Sequence, residues 1–262
     1  HMIVYRKSVL KAVLGKEPDM VLTPQEYVDM VKRVAEATDK PVLAMKADAS
    51  EIFTDALPFL RMNGQDVYDA VTLEAVCDRA EIVKGLEAYC DLKQYALDNT
   101  DTFGNVEVAE AIKYKKVPMA TTWSGQLGVV YTEDCMEKED LGFSTFHTAW
   151  NVTWSFAVSA NCEKKELAKK LLQYLRSPKL DMLAGAHSGA PVRKASYLAG
   201  KEQYPWYSCQ LKMIENAKAL PNMKGAGDKN GVLYAEIAQA FAGKKSAEKA
   251  MADAKQQIDD LQ

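Results

Sequence analysis

Short apolar runs alternate with stretches of helical spacing along this chain, and that alternation limits the fold more than any other feature. Residues 3–5 read as a strand and lead into a helical stretch that stops at Gly15. Thr23-Pro24-Gln25-Glu26 then opens a helix: Thr23 supplies the cap, Pro24 suits the first turn and Glu26 completes a capping box. Tyr27, Val28, Val31, Val34 and Ala35 follow on one face, and Asp39-Lys40-Pro41 stops it. Residues 42–45 read as a strand, 48–60 as a helix broken or kinked at Pro58, and Asn63-Gly64 as a turn. A short strand over 73–76 precedes a long amphipathic helix capped by Asp78. Residues 99–104 read as a loop, 106–112 as a helix and 117–122 as a strand ending at Trp123; residues 127–131 fit helix or strand equally.

The second half holds fewer strands. Residues 142–154 are dense in aromatic and hydroxyl groups, and 155–159 read as a strand leaving them. The stretch 163–175 is helical, with Leu167, Leu171, Leu172 and Leu175 on one face, and Ser177-Pro178 ends it. A helical turn over 180–184, a loop over 189–192 and helices over 211–219 and 232–242 follow; Gly243 ends the latter and Ser246 caps the last helix. Gly225, Gly227 and Gly231 read as a loop. Strands alternating with a majority of helices give a helix-rich α/β class. At 262 residues, the length corresponds to one or two domains with a core that needs no staples. His1-Met2 reads as an expression remnant and is set aside from the fold.

Several functions are excluded or lack a signal. A net charge of -3 with no basic stripe argues against a nucleic-acid partner. No run approaches the roughly 18 apolar residues of a membrane-spanning helix. Cys77, Cys90, Cys135, Cys162 and Cys209 show no C-x-x-C spacing and read as free thiols. Ala242-Gly243-Lys244-Lys245-Ser246 lacks the first glycine and the hydroxyl of a phosphate loop. With His1 set aside, His147 and His187 are the histidines left, too far apart in sequence for a local metal site. Carboxylates are plentiful, but nothing selects a catalytic pair, and Asn151-Val152-Thr153 reads as structural.

What remains is the placement of aromatic side chains. Trp123 stands at the end of a strand beside Thr121, Thr122, Ser124 and Gly125. Trp150 and Trp154 flank Asn151 and Thr153, with His147 just before. Indole faces stack on the apolar faces of pyranose rings, and neighbouring hydroxyl and amide groups hydrogen-bond to sugar hydroxyls. The same tryptophans also suit a core, so composition alone leaves both readings open.

Segments in one order along the chain carry a resemblance. Val4-Tyr5-Arg6-Lys7-Ser8-Val9-Leu10, followed by Pro18 and the Thr23 helix start, resembles a Y-N-K-D-L-L segment with its P-x-T-W-E-E helix. Residues 109–123 resemble a stretch A-F-x-x-G-x-x-A-M-x-x-x-G-x-W, and residues 160–172 resemble S-P-N-K-E-L-A-K-E-F-L, with Gly189-Ala190-Pro191-Val192 after it. Residues 242–250 resemble a closing G-x-x-T-x-x-E-A-L helix start. These are segments of the extracellular solute-binding proteins of ABC importers, which have the type II periplasmic-binding fold. There are departures: Thr121 replaces a glycine, residues 151–155 replace a glycine-rich stretch, and Leu233-Tyr234 stands where sugar-binding members have Trp-Tyr.

The resemblance implies two α/β lobes that close on a ligand, with most of the N-terminal lobe missing from this sequence. Residues 3–156 and 206–262 would form the C-terminal, ligand-binding lobe, and 157–205 the returning segment of the other. The implied ligand is a carbohydrate, an oligosaccharide by preference, held by stacking and hinge closure without chemistry, and no cofactor or metal is expected. Trp123, Trp150 and Trp154 would stack; Ser124, Asn151 and His147 would hydrogen-bond; Ile52, Phe53 and Tyr234 would border the cleft. A membrane permease is the implied partner, and an extracellular or periplasmic site the implied location, lipid-anchored in a Gram-positive cell, with the leader absent from this sequence. The leucine face of 163–175 would lack its cover and favour a homo-oligomer. Two alternatives stay open: a non-sugar ligand (an oligopeptide, a polyamine or an organic anion held by Arg61 and Arg193), and a glycosidase.

Overall fold

The structure, a computed structural model, describes residues 1–38, 41–184 and 189–261. Strand β1 (Met2–Arg6) runs directly into helix α1 (Lys7–Leu14), which Gly15 ends in the left-handed conformation at φ 79°. A two-residue strand β2 (Val21–Leu22) precedes α2 (Pro24–Ala37), whose capping box is formed as the sequence predicts. There the Glu26 N–H donates to Thr23 Oγ1 at 3.1 Å and the Thr23 N–H to the Glu26 carboxylate at 2.7 Å. Then come β3 (Leu43–Ala44), α3 (Ile52–Leu60), α4 (Ala80–Asp91), α5 (Asn105–Lys113), β4 (Met119–Thr122), the short α6 (Leu127–Val130) and β5 (Leu141–Phe146). Only helices follow among the described residues: α7 (Lys165–Leu175), α8 (Pro178–Leu183), α9 (Lys194–Gly200), α10 (Tyr207–Asn216), α11 (Ala226–Phe241) and α12 (Ala247–Asp260).

The sheet has the order β2-β5-β1-β4-β3. The first strand is its centre, antiparallel to both neighbours, while β2 lies parallel to β5 and β3 parallel to β4. All five β1 residues are buried, which is why its sequence is nearly continuously apolar instead of alternating. The exception is Arg6, whose two terminal guanidinium nitrogens donate to the carbonyls of Ile112, Met136 and Glu137. Helix α5 packs on β3 and β4, α10 on β2 and β5, and α3, α4, α11 and α12 pack on one another. Tyr27, Phe59, Tyr89, Phe146 and Phe241 form one aromatic cluster, and Tyr131, Phe143, Trp206, Tyr204, Tyr207 and Tyr197 another.

Several sequence expectations are corrected. His1 and Met2 belong to the fold: both are buried, and Met2 pairs with Thr122 on one side and Thr145 on the other. Residues 73–76 form no strand but one isolated bridge, Tyr68 to Ala75, because Leu73 adopts a positive φ of 62°. Arg79, not Asp78, precedes α4. The spaced glycines enter helix α11: Gly225 is its left-handed first flank, and Gly227 and Gly231 are helical. Residues 155–159 are not a strand; they belong to no regular element. Helix α9 had no signal in the sequence reading, and the histidine at 187 and the stop at 39–40 lie outside the described residues.

Helix α7 forms at the expected place, yet none of its residues is buried. Elsewhere packing is tight. At Gly85 of α4 a Cβ would lie 2.2 Å from the Phe59 carbonyl oxygen, so α3 and α4 touch backbone to backbone. Gly85→Ala should therefore lower the free energy of unfolding in urea by about 1–3 kcal/mol, despite alanine's better helix propensity. A neutral or stabilising effect would show that the two helices do not approach this closely.

Candidate functional site

The loop after β3 and the first turn of α3 carry a group of charged side chains. Lys46 leaves the end of β3 and is buried. Asp48 accepts from the N–H and hydroxyl of Ser50, a short turn that launches the chain into α3. Those bonds hold the Asp48 carboxyl below its usual range. Glu51 precedes the helix, and Asp55 sits one turn inside it, buried beside Lys46 at 3.7 Å.

Trp123 stands where β4 gives way to a tight turn at Ser124–Gln126. Its indole N–H donates to Glu51 at 2.9 Å, and the other Glu51 oxygen accepts from the Asn105 amide at 3.0 Å. The Lys46 ammonium lies 3.6 Å from the centre of the Trp123 ring. The His1 ring packs at 4.7 Å, tilted 48°, and Trp150 meets Trp123 edge-to-face at 5.6 Å. Trp123 and Trp150 are both half-buried, so each presents part of its ring to solvent.

Behind this surface the charges are fixed. Asp55 accepts from the Tyr89 hydroxyl at 3.1 Å and from Thr121 at 3.4 Å. Burial pushes the Asp55 carboxyl up, against the pull of Lys46, and pushes the Lys46 ammonium down to about 8, against the pull of Asp55 and Glu51.

The residues singled out from the sequence divide into two sets. Trp123, Ser124, Trp150 and Asn151 come together, with Asn151 held by its N–H donating to the Lys218 carbonyl at 3.0 Å. Tyr234 of α11 joins them through Thr54: its hydroxyl lies 3.4 Å from Thr54 Oγ1, and the Thr54 carbonyl meets the His1 ring at 2.5 Å. Ile52 and Phe53 are fully buried, and Phe53 packs edge-on beneath Tyr234 at 5.3 Å. Trp154 stands apart, 92% exposed in the irregular segment after residue 151, and His147 is exposed just past the end of β5. Arg61 is buried, bonded to the carbonyls of Lys218 and Ala219 and paired with Asp66, and Arg193 pairs with Asp181. Arg61 shares the Lys218 carbonyl with the Asn151 N–H.

Lys46, Glu51, Asp55 and Asn105 were not found from sequence. The one signal was the Asp48-x-Ser50 turn before an apolar helix, and it resembles many helix starts. A hollow of about 420 Å³ near Tyr5, Glu17, Met20, Phe143 and Cys209 involves none of these residues. Among the described residues no cluster of His, Cys, Asp and Glu has metal-binding geometry, and no helix is long and apolar enough to cross a membrane. The five cysteines are free thiols, three of them buried.

Residues 2–182 match the family model of the bacterial extracellular solute-binding proteins. This chain belongs to that family. The solute-binding fold is equally plain in solved structures. Maltose-bound MalE3 of T. maritima superimposes with a TM-score of 0.88 at 21% identity, covering 100% of this chain and 70% of that one. An ABC transporter solute-binding protein of Agrobacterium vitis S4 with bound D-mannitol gives 0.81 at 16% identity, over 99% and 70% of the two chains. The GacH receptor of Streptomyces glaucescens, also solved with acarbose, gives 0.80 at 18%, over 99% and 68%. No curated protein sequence matches the chain. The family establishes an extracellular solute-binding protein with the helix-rich α/β periplasmic-binding fold, and its members bind rather than transform their ligands.

The buried pair gives a pH signature. A lysine whose folded pKa lies below its unfolded 10.5 costs stability fully below about pH 8, and that cost fades as pH rises from 8 to 10.5. The raised Asp55 works in the opposite sense on the acid side, where stability falls as pH climbs from 3.8. The stability of the native protein relative to Lys46→Met/Asp55→Asn, measured by urea unfolding, should therefore pass through a minimum between these two ranges. A pH-independent difference would show that the pair does not titrate as its burial requires.

Proposed function

We propose that this solute-binding protein takes up a carbohydrate for an ABC importer, capturing it between closing lobes and handing it to a membrane permease without chemistry. The observation that carries the reading is the half-exposed Trp123–Trp150 pair, bordered by the Glu51 carboxylate, Ser124 and Asn151. Aromatic carbon beside fixed polar atoms is what a polyhydroxylated ring requires. Tyr234, propped on Phe53, extends the same wall, and Trp154 and His147 would reach a ligand only after the lobes close. That solved relatives of this fold hold maltose, D-mannitol and acarbose supports the same class of ligand.

In this reading residues 3–156 and 206–262 make the ligand-binding lobe, and 157–205 belong to a second lobe. The whole sheet lies within residues 2–146, and α7 has no buried residue, as a helix built to pack elsewhere would. The protein would act outside the cytoplasmic membrane.

The exposed apolar face also supports self-association. Trp154, Phe156, Leu167, Leu171, Tyr174 and Leu175 are all 43–92% exposed. Four of them, Leu167, Leu171, Tyr174 and Leu175, recur at helical spacing along α7. Light scattering should find a dimer, and Leu171→Glu should return it to a monomer; a monomer throughout would count against this use of α7.

Tryptophan fluorescence titrated with mono- and oligosaccharides should show a saturable change. Trp123→Ala and Trp150→Ala should each weaken binding by roughly tenfold or more, and Trp206→Phe, in the core, should not. Saturation by sugars unaffected by either alanine variant would place the site elsewhere.

A further inference from the structure

The indole of Trp123 extends just past the end of β4, where no ladder bond constrains its orientation. Its ring is nevertheless held by several groups. Glu51 takes the N–H, and Asn105 holds Glu51. One attachment is unusual: an ammonium with no hydrogen-bond acceptor, Lys46 Nζ, lies 3.6 Å from the ring centre in a side chain that is 0% exposed.

A lysine buried this way has surrendered its hydration, and Asp55 at 3.7 Å is too long for a hydrogen bond under ordinary geometry. Such a pair is a poor source of stability, because desolvation offsets its attraction. Nor can the pair touch a ligand, since the two side chains are 0% and 1% exposed. What the ammonium does contact is the π face of Trp123. Asp55 is itself fixed, by the Tyr89 hydroxyl and by Thr121. Thr121 and Trp123 stand two apart along the same stretch of chain, so their side chains leave on one face. The pair thus ties that face of β4 to α3.

We propose that Lys46, held by Asp55, is a positioning residue that fixes the Trp123 indole in the orientation in which it meets ligand. The role in binding rests on the carbohydrate reading above; the role in orientation does not. Glu51 fixes one edge of the indole, and His1 and Trp150 flank it. The cation holds the ring by its face.

The test uses 5-fluorotryptophan-labelled protein and fluorine NMR, with the Trp123 resonance identified by its loss in Trp123→Phe. In Lys46→Met/Asp55→Asn, which removes both charges and keeps an acceptor for Tyr89, the Trp123 resonance should move and broaden. Trp154 and Trp206 should be unchanged, and Lys46→Arg should keep a sharp Trp123 line. A Trp123 resonance unaltered in the folded double variant overturns the proposal. If that variant does not fold, Lys46→Gln, uncharged and of similar length, is read in the same way. For sugars that the native protein binds, the double variant should lose about tenfold in affinity with its thermal midpoint kept or raised, a split that a merely structural pair would not give. Sugar binding insensitive to Trp123→Ala, beside a displaced fluorine resonance, would refute the carbohydrate reading of Trp123 and leave the orienting role standing.

Discussion

The pairing of β1 with both β4 and β5 is the constraint on which the rest depends. Met2 faces Thr122 on one side and Thr145 on the other, so the ends of two strands, both far from β1 in sequence, are brought level. Trp123 leaves from one of these ends, and Trp150 follows shortly after the other. Their edge-to-face contact is therefore a product of sheet register. His1, one residue before the central strand, fills the space between them: its ring lies against Trp123, and the Trp150 N–H approaches it at 3.4 Å. A shift of one residue in β1 would turn that strand's own side chains to the opposite face and take His1 away from the two indoles.

Helix boundaries were legible wherever a cap carried them. Thr23, Gly15, Ser246 and Gly243 act as their residue types dictate. Strands were legible as apolar runs, but a strand also needs a neighbour. Residues 155–159 have the composition of a strand but pair with no sheet strand, so they form no regular element. The glycines of 225–231 misled in the opposite sense, since a helix packed on α3, α4 and α12 tolerates glycines that an isolated one would not.

At the candidate site, the aromatic half was visible in sequence and the ionic half was not. Tryptophan is rare enough that each one attracts notice, and Trp123 and Trp150 stand among hydroxyl and amide neighbours. Lys46, Asp55 and Glu51 are three of many charged residues, and their meaning lies in a proximity that β3, α3 and β4 create together. Trp206 shows the limit from the other side. It is as rare as the rest, yet it is buried in the Tyr131, Phe143 and Tyr204 cluster and serves packing.

The wiring of the central strand also governs when the molecule can form. Ile3 pairs with Thr121 and with Ser144, so the middle of the sheet cannot close until more than half of the chain exists. At a synthesis rate of roughly 5–20 residues per second, the first strand waits on the order of ten seconds for its partners. Pairings of such long sequence separation are also intrinsically slow to form. During that interval residues 2–6, all buried in the finished sheet, have no partner strand to cover them.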